Sequence, residues 1–175
     1  MTLRTRIDDT LASGSLAWMR LHFTNHALDA GFDIRIRRSG GCSPQRSWSD
    51  AVRKRIFLRS SVDLNSARGV ALLAHEVTHA RQQSGSLLYR VAWGLRYLLD
   101  PWFRQAAEIE AKAWGVATII RARYGPRVWM PSVEAWAKVS HSLGGWRRPH
   151  LTPGDPEQMT ERIRDRALEI LVDAE

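Results

Sequence analysis

The chain has 175 residues, 44% of them hydrophobic and eight of them tryptophan, which suits one domain spanning 1–175 with a real core and excludes wholesale disorder. A single cysteine, Cys42, excludes a disulfide framework and a zinc finger and fits a reduced compartment. The formal net charge of +8 leaves nucleic acid, anionic lipid and acidic proteins open as partners.

In chain order, Arg4 and Arg6 are followed by Asp8 and Asp9, so no signal-peptide core develops and a cytoplasmic protein is expected. Residues 15–30 read as a helix closed by Gly31. Phe32, Ile34 and Ile36 alternate with Asp33, Arg35 and Arg37 in strand fashion. Residues 40–49 read as a loop, and 55–60 as a second strand. Asn65 and Ser66 are good helix caps, and the run Ala67 to Gln83 contains no proline and only Gly69 near its start. Val70, Leu73, Ala74, Val77 and Ala80 form its apolar stripe. The most hydrophobic run, Leu87 to Leu99, is too short to cross a bilayer and carries Arg90 and Arg96. Asp100 and Pro101 then serve as cap and first residue of a helix running to about Tyr124, where Gly125 and Pro126 stop it. Residues 132–143 and 156–174 look helical, separated by a turn-rich stretch, so that 144–175 forms a C-terminal loop and helix. The fold class expected from this order is α+β, mostly helical with a small β-sheet.

The chemistry is concentrated in His75, Glu76, Val77, Thr78 and His79. Residues four apart on a helix lie one above the other on the same face, so His75 and His79 can offer two neutral ring nitrogens to one tetrahedral Zn²⁺. Glu76, turned by about 100° from His75, suits a carboxylate that serves as general base without ligating the metal. The motif falls in the middle of an amphipathic helix, as that chemistry requires.

The run from Ala71 to Gly85, with Gln82 and Gln83 after the second histidine, resembles the signature of bacterial HExxH zinc metallopeptidases. That zincin-like group includes the peptidase-like domain associated with extracellular contractile injection systems. The segment from Tyr97 to Ala111, with Pro101, Glu108, Glu110 and Ala111, is similar to a downstream segment of the same group, and the resemblance is strongest over 55–117. It implies a compact zincin-like domain that hydrolyses peptide bonds with Zn²⁺ and a metal-activated water, on a peptide or protein substrate. It also leaves open an injection-system partner and export by such a system. In that class an edge strand beside the motif helix holds substrate in an extended pose, a role open to residues 55–60.

A catalytic zinc keeps three protein ligands and an open position, and Glu108 and Glu110 are the candidates for the third. A helical wheel puts Trp102, Ala106, Ile109, Ala113, Val116, Ala117 and Ile120 on one apolar arc with Glu110 on its flank. Glu108 falls on the polar side between Arg104 and Lys112, where a surface ion-pair ladder would account for it. Overlaying the E-x-x-A-D ligand helix of membrane-anchored HExxH peptidases selects Glu108 instead. That overlay puts Lys112 where an aspartate should accept a histidine N–H, which a lysine cannot do. Glu110 is therefore the preferred ligand.

The other candidates are weaker. His22 and His26 share the i,i+4 spacing without a following glutamate and read as ordinary histidines. Tyr89, Tyr97, Tyr124 and His141 could each donate to an oxyanion, and Gln82 or Gln83 could orient a ligand. Leu87 to Leu99 bridges the two candidate metal-bearing helices and reads as a buried or lid helix, with a membrane-surface helix as the alternative. The arginine clusters at 35–38, 53–59, 121–127 and 147–148 form no single stripe and read as solvated charge, with nucleic acid disfavoured but left open. The function expected is zinc-dependent peptide hydrolysis with Glu76 as general base. The alternatives are a non-catalytic, zinc-stabilised assembly module and a DNA-associated zincin protease.

Overall fold

The computed structural model describes residues 15–37, 48–50, 52–125, 130–143 and 155–173. Cys42, the turn-rich stretch before Asp155, and the basic pair Arg147 and Arg148 lie outside them.

Helix α1 (Leu16–Asp29) starts at Ser15, whose hydroxyl accepts from the Trp18 amide, and ends before Gly31. Strands β1 (Asp33–Arg37), β2 (Trp48–Asp50) and β3 (Arg55–Arg59) form a sheet in the order β1-β3-β2. β1 runs parallel to β3, with Ile34 opposite Ile56, and β2 runs antiparallel to it, with Ser49 opposite Ile56. In β3 the alternation is complete, since Ile56 and Leu58 are buried while Arg55 and Arg59 face solvent. In β1 it fails at Ile36, which is 63% exposed; an edge strand is sheltered on one flank only. β2 occupies the end of the segment expected to be loop, three residues being too few to show a period. β1 lies along the whole of β3 and β2 along Arg55 to Phe57, so among the described residues the edge expected of residues 55–60 is paired over that stretch.

Helix α2 (Ala67–Gln82) carries the HExxH motif. Ser66 caps it by accepting from the Gly69 amide at 3.1 Å. Gly69 is required because a Cβ at that position would lie 1.9 Å from the Asp63 carbonyl oxygen. Helix α3 (Leu87–Leu99) is capped by Ser86. Helix α4 (Pro101–Tyr124) is capped by Asp100, whose carboxylate accepts from the amides of Trp102 and Phe103 at 3.0 Å each. Helices α5 (Met130–Leu143) and α6 (Pro156–Val172) complete the described elements.

α4 is the hub, packed against α2 on one side and against α5 and α6 on others, while α1 covers the far side of α2. Leu73, Ala74 and Val77 of α2 meet Ala113, Val116, Ala117 and Ile120 of α4 and Ile163, Ala167 and Leu171 of α6 in one core. Burying each of the larger aliphatics contributes about 1.5–3 kcal/mol. Gly115 faces Ala71, where an added Cβ would sit 3.3 Å from the Ala71 oxygen, so small residues let the two metal-site helices approach closely. Arg121, almost fully buried, donates to the Leu171 carbonyl at 2.8 Å and ties α4 to the end of α6. The result is the mostly helical α+β fold with a small sheet that the sequence predicts.

Candidate metal centre

α2 and α4 run antiparallel, and the crossing brings three ligand-bearing side chains together. His75 and His79 stand one turn apart on α2 with ring centroids 4.8 Å apart. Glu108 of α4 points between them, with Oε1 3.3 Å from His79 Nε2 and Oε2 3.9 Å from His75 Nε2. One ligand atom from each of the three lies within 4.8 Å of the others, and among the described residues this is the group of three or more able to hold a metal ion. Tetrahedral zinc with bonds of about 2.0–2.1 Å separates its ligand atoms by about 3.3 Å. The cluster fits that spacing after sub-ångström adjustments of side chains.

The imidazoles are oriented by their second nitrogens. His79 Nδ1 lies 2.9 Å from Gln82 Oε1, and Gln82 Nε2 donates to the Ala107 carbonyl at 3.1 Å. Because that carbonyl can only accept, the Gln82 amide must face it with its NH₂, leaving its oxygen to accept from His79. In the neutral ring Nδ1 therefore carries the proton, and Nε2, on losing its own, turns a lone pair to the centre. The His75 ring bonds the Ala111 backbone in a comparable way. Gln83, the other glutamine considered, instead pairs with Ser49 of β2.

Helix α3 closes the centre from above. Tyr97 donates its hydroxyl to Glu108 Oε1. Trp93 stacks on Tyr97 at 5.0 Å and lies edge-on to His79 at 6.5 Å. Tyr97, one of the expected oxyanion donors, directs its proton to the Glu108 carboxylate in this structure. Trp93 was missed, although its i,i+4 spacing with Tyr97 on α3 was a usable signal. Of the other tyrosines, Tyr89 donates to the Gln82 carbonyl at 3.3 Å, and Tyr124 sits at the far end of α4. The His141 side chain lies outside the described residues.

Burial and mutual charge set the proton distribution. Burial, helped by the neighbouring His79, pushes His75 down to about 3. Burial also works against a charged His79, but the Glu108 carboxylate outweighs it and raises His79 to about 9. Glu108 is lowered from the usual carboxylate range despite its burial, because His79 and the Tyr97 hydroxyl stabilise the anion. Burial raises Glu76 to about 7 and holds Tyr97 well above an ordinary phenol. Lys112, only 2% exposed, has its ammonium buried without a hydrogen-bond partner, and burial lowers its pKa.

Glu110 is elsewhere. Its carboxylate accepts from Arg166 Nε at 2.7 Å, from Arg166 Nη2 at 3.1 Å and from Trp114 Nε1 at 3.0 Å, tying α4 to α6. The preference for Glu110 over Glu108 therefore does not match their placement: Glu108 is the glutamate beside the histidines. The wheel assumed one buried face, whereas α4 is covered on several sides. Arg104, Glu108 and Lys112, expected as a solvated ladder, are all buried, while Trp102 is exposed. His22 and His26 have their rings tilted to each other with centroids 5.7 Å apart and belong to no metal-binding group among the described residues.

Residues 49–87 match the family model of the eCIS core domain. The match runs from β2 through the whole motif helix to the first residue of α3, so it includes His75, Glu76 and His79 and stops short of Glu108. No curated protein and no solved structure matches the chain.

Proposed function

We propose that this chain is a zinc-dependent metallopeptidase-like domain, with His75, His79 and Glu108 as metal ligands and Glu76 as the general base. The observation that carries the reading is the convergence of two oriented imidazoles and one carboxylate from two helices on a single point. Two nitrogens and an oxygen with a fourth position left open favour Zn²⁺ over hard cations such as Mg²⁺. Zinc held there would supply Lewis acidity, polarising a carbonyl oxygen and acidifying a water.

The chain's own groups supply the rest. Gln82 holds His79 in the tautomer that presents Nε2. Glu76, buried, adjacent to His75 in sequence and charge-coupled to His79 and Glu108, would take a proton on its carboxylate and return it to the leaving amine. Trp93 and Tyr97 exclude bulk water from one side, and the Tyr97 hydroxyl can turn from Glu108 toward an oxyanion. Lys112 adds a buried ammonium near Glu108 and His75. The eCIS core match supports a setting beside an injection system, with a peptide or protein as substrate.

A second reading draws on the burial of His79 and Glu108: the metal only clamps α2 to α4. Metal analysis and Glu76→Gln separate the two. Protein purified without added metal or chelator should carry close to one zinc, and His75→Ala or His79→Ala should remove it. A wild-type chain that stays metal-free in micromolar zinc would overturn both readings. A zinc-loaded chain inactive on a broad library of unstructured peptides, with a biological effect that survives Glu76→Gln, would leave only the clamp.

A further inference from the structure

Helix α3 is amphipathic with its aliphatic face outward. Its inner face is Arg90, Trp93 and Tyr97, whose rings pack over the metal centre while Arg90 donates to the Gly85 carbonyl at 2.6 Å. Its outer face is a stripe of Leu88, Val91, Leu95, Leu98 and Leu99, continued by Trp102 at the start of α4, and these side chains are 41–79% exposed. The helix cannot roll to hide them without breaking the Tyr97 bond to Glu108 and pulling Trp93 away from His79 and Phe103. An aliphatic stripe of this length left in water is a binding surface, since monomeric proteins seldom expose contiguous apolar patches of this kind.

We infer that this outer face of α3 docks on an anionic lipid surface, lying in the plane of the interface. The helix is about 20 Å long at 1.5 Å per residue, and no helix among the described residues is long and apolar enough to cross a membrane. From Val77 to Leu99 the sequence contains no acidic residue and three arginines, Arg81, Arg90 and Arg96. Asp100, between Leu99 and Trp102, is paired with Arg96 at 3.4 Å, so the segment keeps a net positive charge toward a negatively charged headgroup layer, within a chain whose net charge is +8. The exposed positions of α3 offer only two polar groups, the Tyr89 hydroxyl and the Arg96 guanidinium. A specific protein interface mixes hydrogen-bonding groups into its apolar patch; a lipid surface asks for leucines in the middle and tyrosine, tryptophan and arginine at the margins. Trp102, 65% exposed, ends the stripe with the kind of aromatic ring that settles at a lipid interface.

The test uses the full chain and sedimentation with sucrose-loaded vesicles, of phosphatidylcholine alone or with about one third phosphatidylglycerol. Binding to the anionic vesicles is expected, with little to the neutral ones. The double variant Leu95→Ser/Leu99→Ser should weaken partitioning at least about tenfold, because two buried leucines are lost from the interface. Both positions are exposed, so its circular dichroism should be unchanged; Val91→Ser/Trp102→Ser provides an independent pair with the same expectation. Three outcomes overturn the inference. The chain fails to sediment with anionic vesicles; it sediments equally well in all variants, which would assign binding to arginines elsewhere; or the stripe supports a concentration-dependent dimer, abolished by the variants, without lipid binding.

Discussion

The assignment of the third ligand makes the sharpest prediction, because two glutamates two residues apart on α4 should have opposite phenotypes. Glu108→Ala removes the carboxylate whose Oε1 stands 3.3 Å from His79 Nε2 and whose Oε2 stands 3.9 Å from His75 Nε2. Structural zinc sites bind with about 10–16 kcal/mol shared among four ligands, or roughly 3 kcal/mol each, and at 1.4 kcal/mol per decade the expected loss is about 10²-fold in zinc affinity. Glu110→Ala instead leaves Arg166, whose side chain is 35% exposed against 31% for Glu110, with its Glu169 pair alone. A half-solvated ion pair of that kind contributes about 1 kcal/mol even when bidentate, and it lies on the α6 side of α4. That variant should lower the melting temperature by a few degrees and leave zinc affinity within about threefold. Competition against a chromophoric zinc chelator measures the first quantity and thermal unfolding of the metal-free protein the second. If Glu110→Ala loses zinc as severely as His79→Ala while Glu108→Ala keeps it, the geometric argument fails and α4 must turn before metal binds.

Further outcomes follow from the same geometry. Glu76→Gln should keep zinc and fold while peptidase activity falls by roughly 10² or more, because an amide holds the shape but cannot accept a proton at neutral pH; equal loss of zinc would make Glu76 a ligand. Gln82→Leu removes the acceptor of His79 Nδ1–H and should weaken zinc binding by about 10–100-fold with little effect on helix content, read by the same chelator competition. Nucleic-acid binding, if present, should be weak, independent of sequence and lost near physiological salt; tight binding that persists at about 0.2 M salt would promote the DNA-associated alternative.

Local signals were legible in the sequence where one short-range rule decides the outcome. Ser66 and Asp100 cap the helices they are expected to cap, and Gly31 and Gly125 follow the ends of α1 and α4. The motif falls on the middle of α2 because its apolar stripe and its cap agree. The three-residue β2 left no period to read, and the central position of β3 depends on which strands pair with it, a property of tertiary assembly that β3's own residues do not encode. The lid and membrane-surface readings of Leu87 to Leu99 competed because each described one face of the same helix: Trp93 and Tyr97 lie inward over the centre while the leucines lie outward.

The misreading of α4 carries more information than the correct expectations. A wheel ranks positions by the apolar residues around them, so it finds the side facing a hydrophobic core and treats the opposite side as solvent. α4 has no solvent side between Ala111 and Arg121, because α2, α5 and α6 all pack on it. Glu108 and Lys112 are thus polar residues held inside a helix bundle, a placement that costs several kcal/mol per unpaired charge unless something compensates it. For Glu108 the compensation is on view in His75, His79 and Tyr97. For Lys112 no protein hydrogen bond supplies it. Local pattern and buried chemistry disagree most sharply around these two residues, and such disagreement is expected where a sequence gives up packing for function.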